Sequence, residues 1–364
     1  MTERFLKAVE KLYNTLFCLL RLGLSDKYGL ESLDPAVDWE KLYSLSALQG
    51  VAPIVLDGIQ SVYGAGFDLE VPRTVLRKWA AMTTHTEKKY ALQRKASADL
   101  AQFYSSKGIR TVLLKGAAFA ENYPLPEHRY SSDFDCFLFD DYEKGNEEIE
   151  KMGIGVDRSH YKHSGFKYEG VEVENHRFCL AVRADKRSKS LELLLESLLK
   201  EGPLGYIEGT QLLMPPPLFN ALFMLEHSFG HFLREGLSLR QITDWALLCD
   251  NYADRLDWER FERICIEYGL VRFRDCISRI ADYILRAKGE LSELDRKVLD
   301  SILVQDKPFD YHKSAIHSRV ELVRNALNSA WKYREFAGRT MTGTLLQSFW
   351  GLLFDKNPKL NETK

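Results

Sequence analysis

The sequence predicts an α+β protein, in which a small mixed sheet is embedded in N-terminal and C-terminal helical regions. Apolar residues recur at helical spacing before residue 106 and after the three prolines at 215–217, whereas short β-branched runs lie between them. With 364 residues, of which 45% are hydrophobic, the chain can bury more than one core. We therefore expect an N-terminal helical region over 1–106, a sheet-containing core over 107–213 and a C-terminal helical domain over 214–364.

The first region is predicted to hold three amphipathic helices. The first covers Thr2 to Leu24, and the second begins after Asp38, an acidic N-cap. The third begins at Pro72, where the first turn of a helix tolerates proline, and continues to Ser106.

The central region changes to strand patterns. Ile109–Leu114 and Phe134–Phe139 are short apolar runs typical of buried strands, and an acidic helix is expected from about Asp141 to Met152. A hairpin is expected across Glu169-Gly170. The three prolines end this region because proline cannot continue a strand ladder.

Beyond the prolines the chain is predicted to be helical, with short polar breaks. A polar tail, 357–364, is expected to fray. The expected helices are Leu218–Leu233, Leu239–Cys249, Trp258–Tyr268, Phe273–Ala287, Leu291–Leu303, Ala315–Tyr333 and Thr342–Phe354.

Composition excludes several classes of function. A formal net charge of -2 lacks the basic character of proteins that coat nucleic acid nonspecifically. The six cysteines are dispersed and sit mostly in apolar runs, as expected for reduced core residues. The apolar patch Leu16–Leu20 is too short for a signal peptide or membrane span. We expect a cytoplasmic protein without a membrane partner.

The main chemical motif is Asp133-Phe134-Asp135. Side chains alternate along a strand, so both aspartates project from one face. Carboxylates this close repel each other unless a cation lies between them. Magnesium prefers carboxylate and phosphate oxygens, and a pair of such ions can promote in-line phosphoryl displacement.

The hairpin supplies candidates for a third carboxylate. In the run from Val171 to His176 the valines share one face of the strand, while Glu172, Glu174 and His176 share the other. Glu174 is the first choice for a metal ligand, and Glu172 is the second.

Lys115-Gly116 follows the first strand and precedes a short helix. Glycine lets a phosphate approach the backbone, the N–H groups at a helix N-terminus bind anions, and Lys115 adds positive charge for a triphosphate. Arg129 precedes Asp133 by four residues. It is expected either to clamp a phosphate oxygen or to pair with Asp133.

These residues resemble the nucleotidyltransferase superfamily with the DNA-polymerase-beta-like fold, which carries a strand-glycine-helix segment before an acidic-x-acidic strand. They look more closely similar to a largely uncharacterised bacterial nucleotidyltransferase family with Lys-Gly in this place. The similarity covers most of residues 36–270. It is carried by Asp38-Trp39, Leu113-Leu114-Lys115-Gly116, Tyr123-Pro124, Arg129, Asp133-x-Asp135, Val173-Glu174-Asn175-His176, His227-x-x-x-His231, Arg240 and Ile242-Thr243-Asp244-Trp245.

The resemblance implies a nucleotidyltransferase that moves a nucleoside monophosphate from a nucleoside triphosphate such as ATP onto an acceptor. Asp133, Asp135 and Glu174 then correspond to the carboxylates that bind Mg²⁺, or alternatively Mn²⁺. Lys115-Gly116 corresponds to the phosphate-binding turn. The acceptor is a small molecule, a protein or an RNA.

Ala117 departs from the superfamily pattern, which has serine after the glycine. The hydroxyl contact to the triphosphate is therefore absent. This departure leaves open an alternative hypothesis, a catalytically silent module that binds a nucleotide or a protein partner on the same fold. An RNA-modifying enzyme is a third hypothesis, which the near-neutral charge disfavours.

Other polar residues have two interpretations each. His227 and His231 either ligate a metal or are buried, hydrogen-bonded histidines that line the cleft, which we favour. Arg240 and Asp244 either form a helix ion pair or contact the acceptor. The basic run 183–189 is expected to form a loop, which either steers an anion or is solvated surface, as we favour. His160 and His163 precede the hairpin on the cleft side.

Overall fold

The computed structural model describes residues 3–25, 33–34, 36–180, 186–202, 204–234, 236–304 and 330–338, with the backbone alone for 3–8. It confirms the predicted α+β class, because helices flank a mixed sheet on both faces. The division into three regions at 106 and 213 stays a prediction.

The sheet has six strands in the order β3-β4-β2-β1-β6-β5. Strands β2 and β4, and β1 and β6, pair in parallel, and the other neighbours pair antiparallel. The two short strands before Pro215 were not predicted from the sequence. The strands are β1 Thr111–Leu114, β2 Phe134–Phe137, β3 His163–Tyr168, β4 Val171–His176, β5 Gly205–Tyr206 and β6 Leu212–Met214.

In the described part of the chain, four helices precede the sheet: α1 Glu3–Leu24, α2 Trp39–Leu48, α3 Ala52–Gly64 and α4 Arg73–Ser106. The sequence analysis missed α3, whose residues are mostly buried. Helices α1 and α3 pack very closely, since a Cβ at Gly58 would lie 2.0 Å from the carbonyl oxygen of Leu19. Only glycine fits this crossing.

Within the described residues, α5 Gly116–Ala120, α6 Tyr142–Lys151 and a third helix lie among the strands. Helix α7, Lys186–Glu201, includes the second half of the basic run 183–189, whose residues 183–185 lie outside the described chain. That run is therefore partly helical, where a loop was expected.

The C-terminal helices agree with the predicted series as far as the chain is described. The range 342–354, most of 315–333 and the tail 357–364 lie outside the described residues. Within the described ranges, no helix combines the length and the apolar content needed to cross a bilayer. The helices are α8 Pro217–Arg234, α9 Leu239–Asn251, α10 Trp258–Glu267, α11 Val271–Arg286, α12 Glu293–Leu303 and α13 Ala330–Phe336.

The two faces of the sheet bury different cores. Leu113, Phe134 and Cys136 pack in a cluster with residues of α4 and α6. Leu114 and Phe137 point to the other face, into the large core that the C-terminal helices share. Because Asp135 lies between Phe134 and Cys136, its carboxylate emerges on this second face, toward the C-terminal helices.

A buried ion pair joins α9 to the loop before β2. Arg129 donates to both carboxylate oxygens of Asp244, at 2.9 and 2.7 Å, and the Tyr123 hydroxyl donates to the same carboxylate at 2.7 Å. Arg129 is 6% exposed and Asp244 is 2% exposed. This network fixes the position of α9 beside the strand that carries Asp135.

Asp244→Asn is predicted to lower the free energy of unfolding by about 3–5 kcal/mol, because it leaves the buried Arg129 guanidinium uncompensated. Glu121→Gln is the control, since Glu121 pairs with Arg94 on the surface at 2.8 Å, and its loss should cost at most about 1 kcal/mol. Urea unfolding measures both. Equal losses in the two variants would contradict the role given to this ion pair.

Candidate active site

The parallel pairing of β2 and β4 brings the candidate ligands together. Asp135 lies opposite Glu174, and Phe137 lies opposite His176. One ligand atom from each of Asp135, Glu174 and His176 lies within 4.8 Å of the others, which is a spacing that a single metal ion can span. His176 Nε2 is 2.8 Å from Asp135 Oδ1 and 3.2 Å from Glu174 Oε2.

Asp133 directly precedes β2 and is not a member of this group of three. The Ser132 hydroxyl donates to its carboxylate at 2.9 Å. Burial, followed by the nearby charge of Asp135, raises the pKa of Asp133, and Lys115 opposes this rise. Asp133 therefore belongs to the same electrostatic cluster as Asp135, at its edge.

Lys115 places its amine among these carboxylates. Its Nζ lies 2.6 Å from Asp135 Oδ1 and 3.9 Å from Glu174 Oε2. Lys115 has φ 43° and ψ -145°, a backbone conformation that favours glycine and that strains any other residue by about 1–3 kcal/mol. The fold holds this strained conformation at the point where the lysine amine meets the carboxylates.

Gly116 continues the same tight turn with φ 23°. A Cβ on this residue would lie 2.6 Å from Ser131 Oγ and 3.6 Å from the carbonyl oxygen of Asp133. The turn is thus pressed against the loop that carries Asp133, and a larger residue would separate the two.

Opposing effects set the charges of the cluster. Burial by itself raises the pKa of Asp135, but Lys115 and His176 hold this pKa well below the usual range. Burial also raises the pKa of Glu174, whereas the contact with His176 and the charge of Lys115 produce a net decrease. Both carboxylates are therefore ionised at neutral pH, next to a lysine whose own pKa their charges raise despite its burial.

Lys162 adds a second amine to the site. Burial and the charge of Lys115 lower the pKa of Lys162 to about 8, and Asp135 and Glu174 oppose this decrease. Among the described residues, its amine makes no hydrogen bond or ion pair. Lys162 is therefore a cation with capacity for an anionic ligand.

Helix α8 places two histidines near the charged cluster. His227 on α8 and His231 share a hydrogen bond of 3.0 Å between their Nε2 atoms. Burial and the charges of His231, Lys115 and Lys162 hold the pKa of His227 well below its usual value. This contact agrees with the interpretation of hydrogen-bonded histidines that line the cleft.

Arg240 on α9 lies beside Tyr130. Its Nη1 donates to the Tyr130 carbonyl at 3.0 Å, and its guanidinium lies 5.9 Å from the centre of the Tyr130 ring. Its Nε–H is buried and has no hydrogen-bond partner in the described part of the chain. Burial and the charge of Arg129 lower the pKa of Arg240, and the charges of Asp244, Tyr123 and Asp133 oppose this decrease.

Three expectations from the sequence need correction. Arg129 pairs with Asp244, where a pair with Asp133 was expected, and this contact argues against a role as phosphate clamp. Asp244 pairs with Arg129 where a helix ion pair with Arg240 was one expectation, and Arg240 instead contacts the Tyr130 carbonyl. Glu172 is exposed and lies 3.4 Å from Lys167, apart from the carboxylate cluster.

Ala117 lies against the core on the α4 side of the sheet, together with Leu113. That core is on the face opposite to Asp135. The missing hydroxyl therefore belongs to a position that packs away from the carboxylates, and its absence has less bearing on the cleft than the sequence suggested.

Sequence reasoning did not assign His176 and Lys162 to the site. The alternation along β4 places His176 on the same face as Glu174, so a pattern that could have identified it was present. Lys162 comes before β3 in an irregular segment, where no periodicity indicates which way a side chain points. Its position is known only from the fold.

Lys115→Met and Lys115→Gly together test the charge and the strain of this residue. Met removes the cation beside Asp135 and is predicted to lower the free energy of unfolding by about 3 kcal/mol. Gly also removes the cation but relieves the strained backbone, so we expect it to be about 1 kcal/mol less destabilising than Met. Chemical denaturation without divalent ions measures this order. A Gly variant less stable than the Met variant would contradict the claim that the backbone of Lys115 is strained.

A family model agrees with the resemblance noted in the sequence. No curated protein matches the chain significantly. A solved structure described as an antigenic nucleotidyltransferase-like protein from Paracoccidioides brasiliensis is 16% identical; the match covers 55% of this chain and 94% of that chain, with a TM-score of 0.33, too low to support an argument. The sequence model of a family described as "Uncharacterised nucleotidyltransferase" matches residues 35–286, which is more than half of the chain. The chain therefore belongs to this nucleotidyltransferase family.

Proposed function

We propose that this protein is a metal-dependent enzyme that transfers a nucleoside monophosphate from a nucleoside triphosphate to an acceptor hydroxyl. The observation that carries the proposal is the convergence of Asp135 and Glu174 beside the Lys115-Gly116 turn. Carboxylates that converge next to an anion-binding turn match the chemistry of phosphoryl transfer. Membership of the family supports the same activity.

The residues present fit a divalent ion. Asp135 and Glu174 are ionised and their carboxylates converge. The Lys115 amine lies beside them, so this position stabilises a positive charge. Asp133, Asp135 and Glu174 would hold magnesium or manganese. A bound divalent ion would neutralise charge on the phosphates and on the attacking and leaving oxygens.

Three cationic side chains are proposed to receive the triphosphate. Lys115 lies close enough to Lys162 for its charge to lower the pKa of Lys162. The charges of Asp135 and Glu174 raise the pKa of both lysines. The unpartnered Nε–H of Arg240 takes the role first expected of Arg129. The backbone at Gly116 lets the phosphates approach closely, because no side chain intervenes.

In the proposed reaction, the acceptor oxygen forms a bond to the α-phosphorus, and the bond between this phosphorus and the bridging oxygen of the β-phosphate breaks. Pyrophosphate leaves with that oxygen. Glu174 accepts the proton of the acceptor hydroxyl, since the lowered pKa of Glu174 keeps it ionised at neutral pH. Lys115 and Lys162 balance the charge of the phosphates.

The alternative, a silent nucleotide-binding module, makes a different prediction. Such a module binds the nucleotide and the metal without releasing pyrophosphate. Calorimetric titration with magnesium and a nucleoside triphosphate, paired with a pyrophosphate assay, separates the two hypotheses. An acceptor RNA is tested by RNA affinity at low salt, where electrostatic binding is strongest.

Asp133→Asn and Asp135→Asn are each predicted to reduce transfer by about 10²–10³-fold or more, because each removes one of the carboxylates that would hold the divalent ion. The assay incubates labelled nucleoside triphosphates, Mg²⁺ or Mn²⁺ and cell extract, and follows which molecule gains label. Glu172→Gln is the matched control, since Glu172 is an exposed carboxylate on the same strand as Glu174. Full labelling by either aspartate variant would refute the proposal.

The lowered pKa of Lys162 predicts that the protein takes up protons when the triphosphate binds. The Lys162 pKa of about 8 leaves about half of the amines neutral at pH 8, and a bound anion should raise this pKa, so about half a proton is taken up. At pH 6.5 the amine is already charged, and the contribution should vanish. Calorimetry of MgATP binding in two buffers of different ionisation enthalpy measures the uptake.

Lys162→Met should lose this uptake. Lys167→Met should keep it, because Lys167 is an exposed lysine of the neighbouring hairpin with its side chain 64% exposed. An equal uptake in the wild type and in Lys162→Met would show that Lys162 does not face the nucleotide.

A further inference from the structure

His176 lies at the end of β4 and is fully buried, with 0% exposure. Its Nε2 atom points between the carboxylates of Asp135 and Glu174, at 2.8 and 3.2 Å from their nearest oxygens. No other histidine in the described chain belongs to a group of three candidate metal ligands. The superfamily pattern of carboxylates does not account for an imidazole in this place.

The opposite nitrogen of the ring fixes how His176 is used. Its Nδ1 lies 3.1 Å from the carbonyl oxygen of Phe178, and a carbonyl only accepts, so Nδ1–H is the donor. A neutral ring then presents the lone pair of Nε2 to two carboxylates. The Lys115 amine supplies one positive charge beside these acceptors, 2.6 Å from Asp135 Oδ1 and 3.9 Å from Glu174 Oε2. The lone pair of Nε2 is directed at the same carboxylates and can take a proton or a cation there.

Glu192 holds this arrangement in place. Its two carboxylate oxygens accept the backbone N–H groups of Cys179 and Leu180, both at 2.7 Å. These residues directly follow Phe178, so the buried Glu192 fixes the carbonyl that orients His176. A ring that donates Nδ1–H to a backbone carbonyl and so keeps Nε2 free to coordinate is the usual setting of a histidine that binds a metal.

We propose that His176 Nε2 is a direct ligand of the metal ion together with Asp135 and Glu174, and that the site therefore prefers Mn²⁺ to Mg²⁺. Magnesium is bound almost entirely by oxygen, whereas imidazole raises the affinity for transition metals. The two carboxylates keep the site suitable for manganese. The inference depends on the proposed function only for the location of the metal.

Pulsed electron paramagnetic resonance of the wild-type protein with Mn²⁺ and no nucleotide tests the ligand directly. A coordinated imidazole couples the ¹⁴N nucleus to the manganese electrons, and we expect this coupling. Calorimetry should show Mn²⁺ binding at least about ten-fold tighter than Mg²⁺. Bound Mn²⁺ without nitrogen coupling, or no Mn²⁺ binding at all, would overturn the proposal.

His176→Asn should abolish the nitrogen coupling and weaken Mn²⁺ binding by about ten-fold or more, with a smaller effect on Mg²⁺. His160→Asn is the matched control, because His160 is exposed and outside the ligand group. Its ring centre lies 4.4 Å from that of His163, whose ring in turn lies beside His176. Nitrogen coupling that persists in folded His176→Asn contradicts the assignment. If this variant does not fold, the wild-type spectrum decides.

The two proposals fail separately. Nitrogen coupling in a protein that releases no pyrophosphate overturns the proposed transfer and supports the metal ligand. Transfer that depends on Asp135 in a protein whose Mn²⁺ shows no nitrogen coupling supports the activity and overturns the role of His176.

Discussion

The balance of charge around Asp135 is the interaction on which the rest of the site depends. A carboxylate that is 2% exposed is stable in its ionised form only beside positive charge, and Lys115 supplies it at 2.6 Å. The fold accepts a strained backbone at Lys115 to place that amine. A site that is charged, buried and strained in this way fits a function in which another cation takes the place of the Lys115 amine beside Asp135.

The elements around the sheet keep this balance in position. The strand register sets Asp135 against Glu174, and the opposite face is anchored by the core that packs on α4. The Arg129–Asp244 pair then fixes α9, and with it Arg240, across the cleft. The parts of the site come from several separate segments of the chain, so the tertiary structure assembles it.

The strands and most described helices follow from periodicity, because half-buried elements leave a regular apolar pattern. The pattern failed at α3, where the consecutive residues 52–56 are all buried and leave no helical spacing to recognise, and at the short β5 and β6. Asp133, Asp135, Glu174 and Lys115 became candidates because they stand in local motifs. The surroundings of Arg129, Lys162 and Arg240 could not be predicted, since they are formed by residues distant in sequence and depend on tertiary packing.

Crystals grown with Mn²⁺ and a non-hydrolysable nucleoside triphosphate analogue would test the central claim most directly, through anomalous diffraction at the manganese absorption edge. The account predicts an anomalous peak within about 2.5 Å of carboxylate oxygens of Asp135 and Glu174, with the triphosphate beside Gly116. A triphosphate bound elsewhere, or a peak distant from both carboxylates, would contradict it.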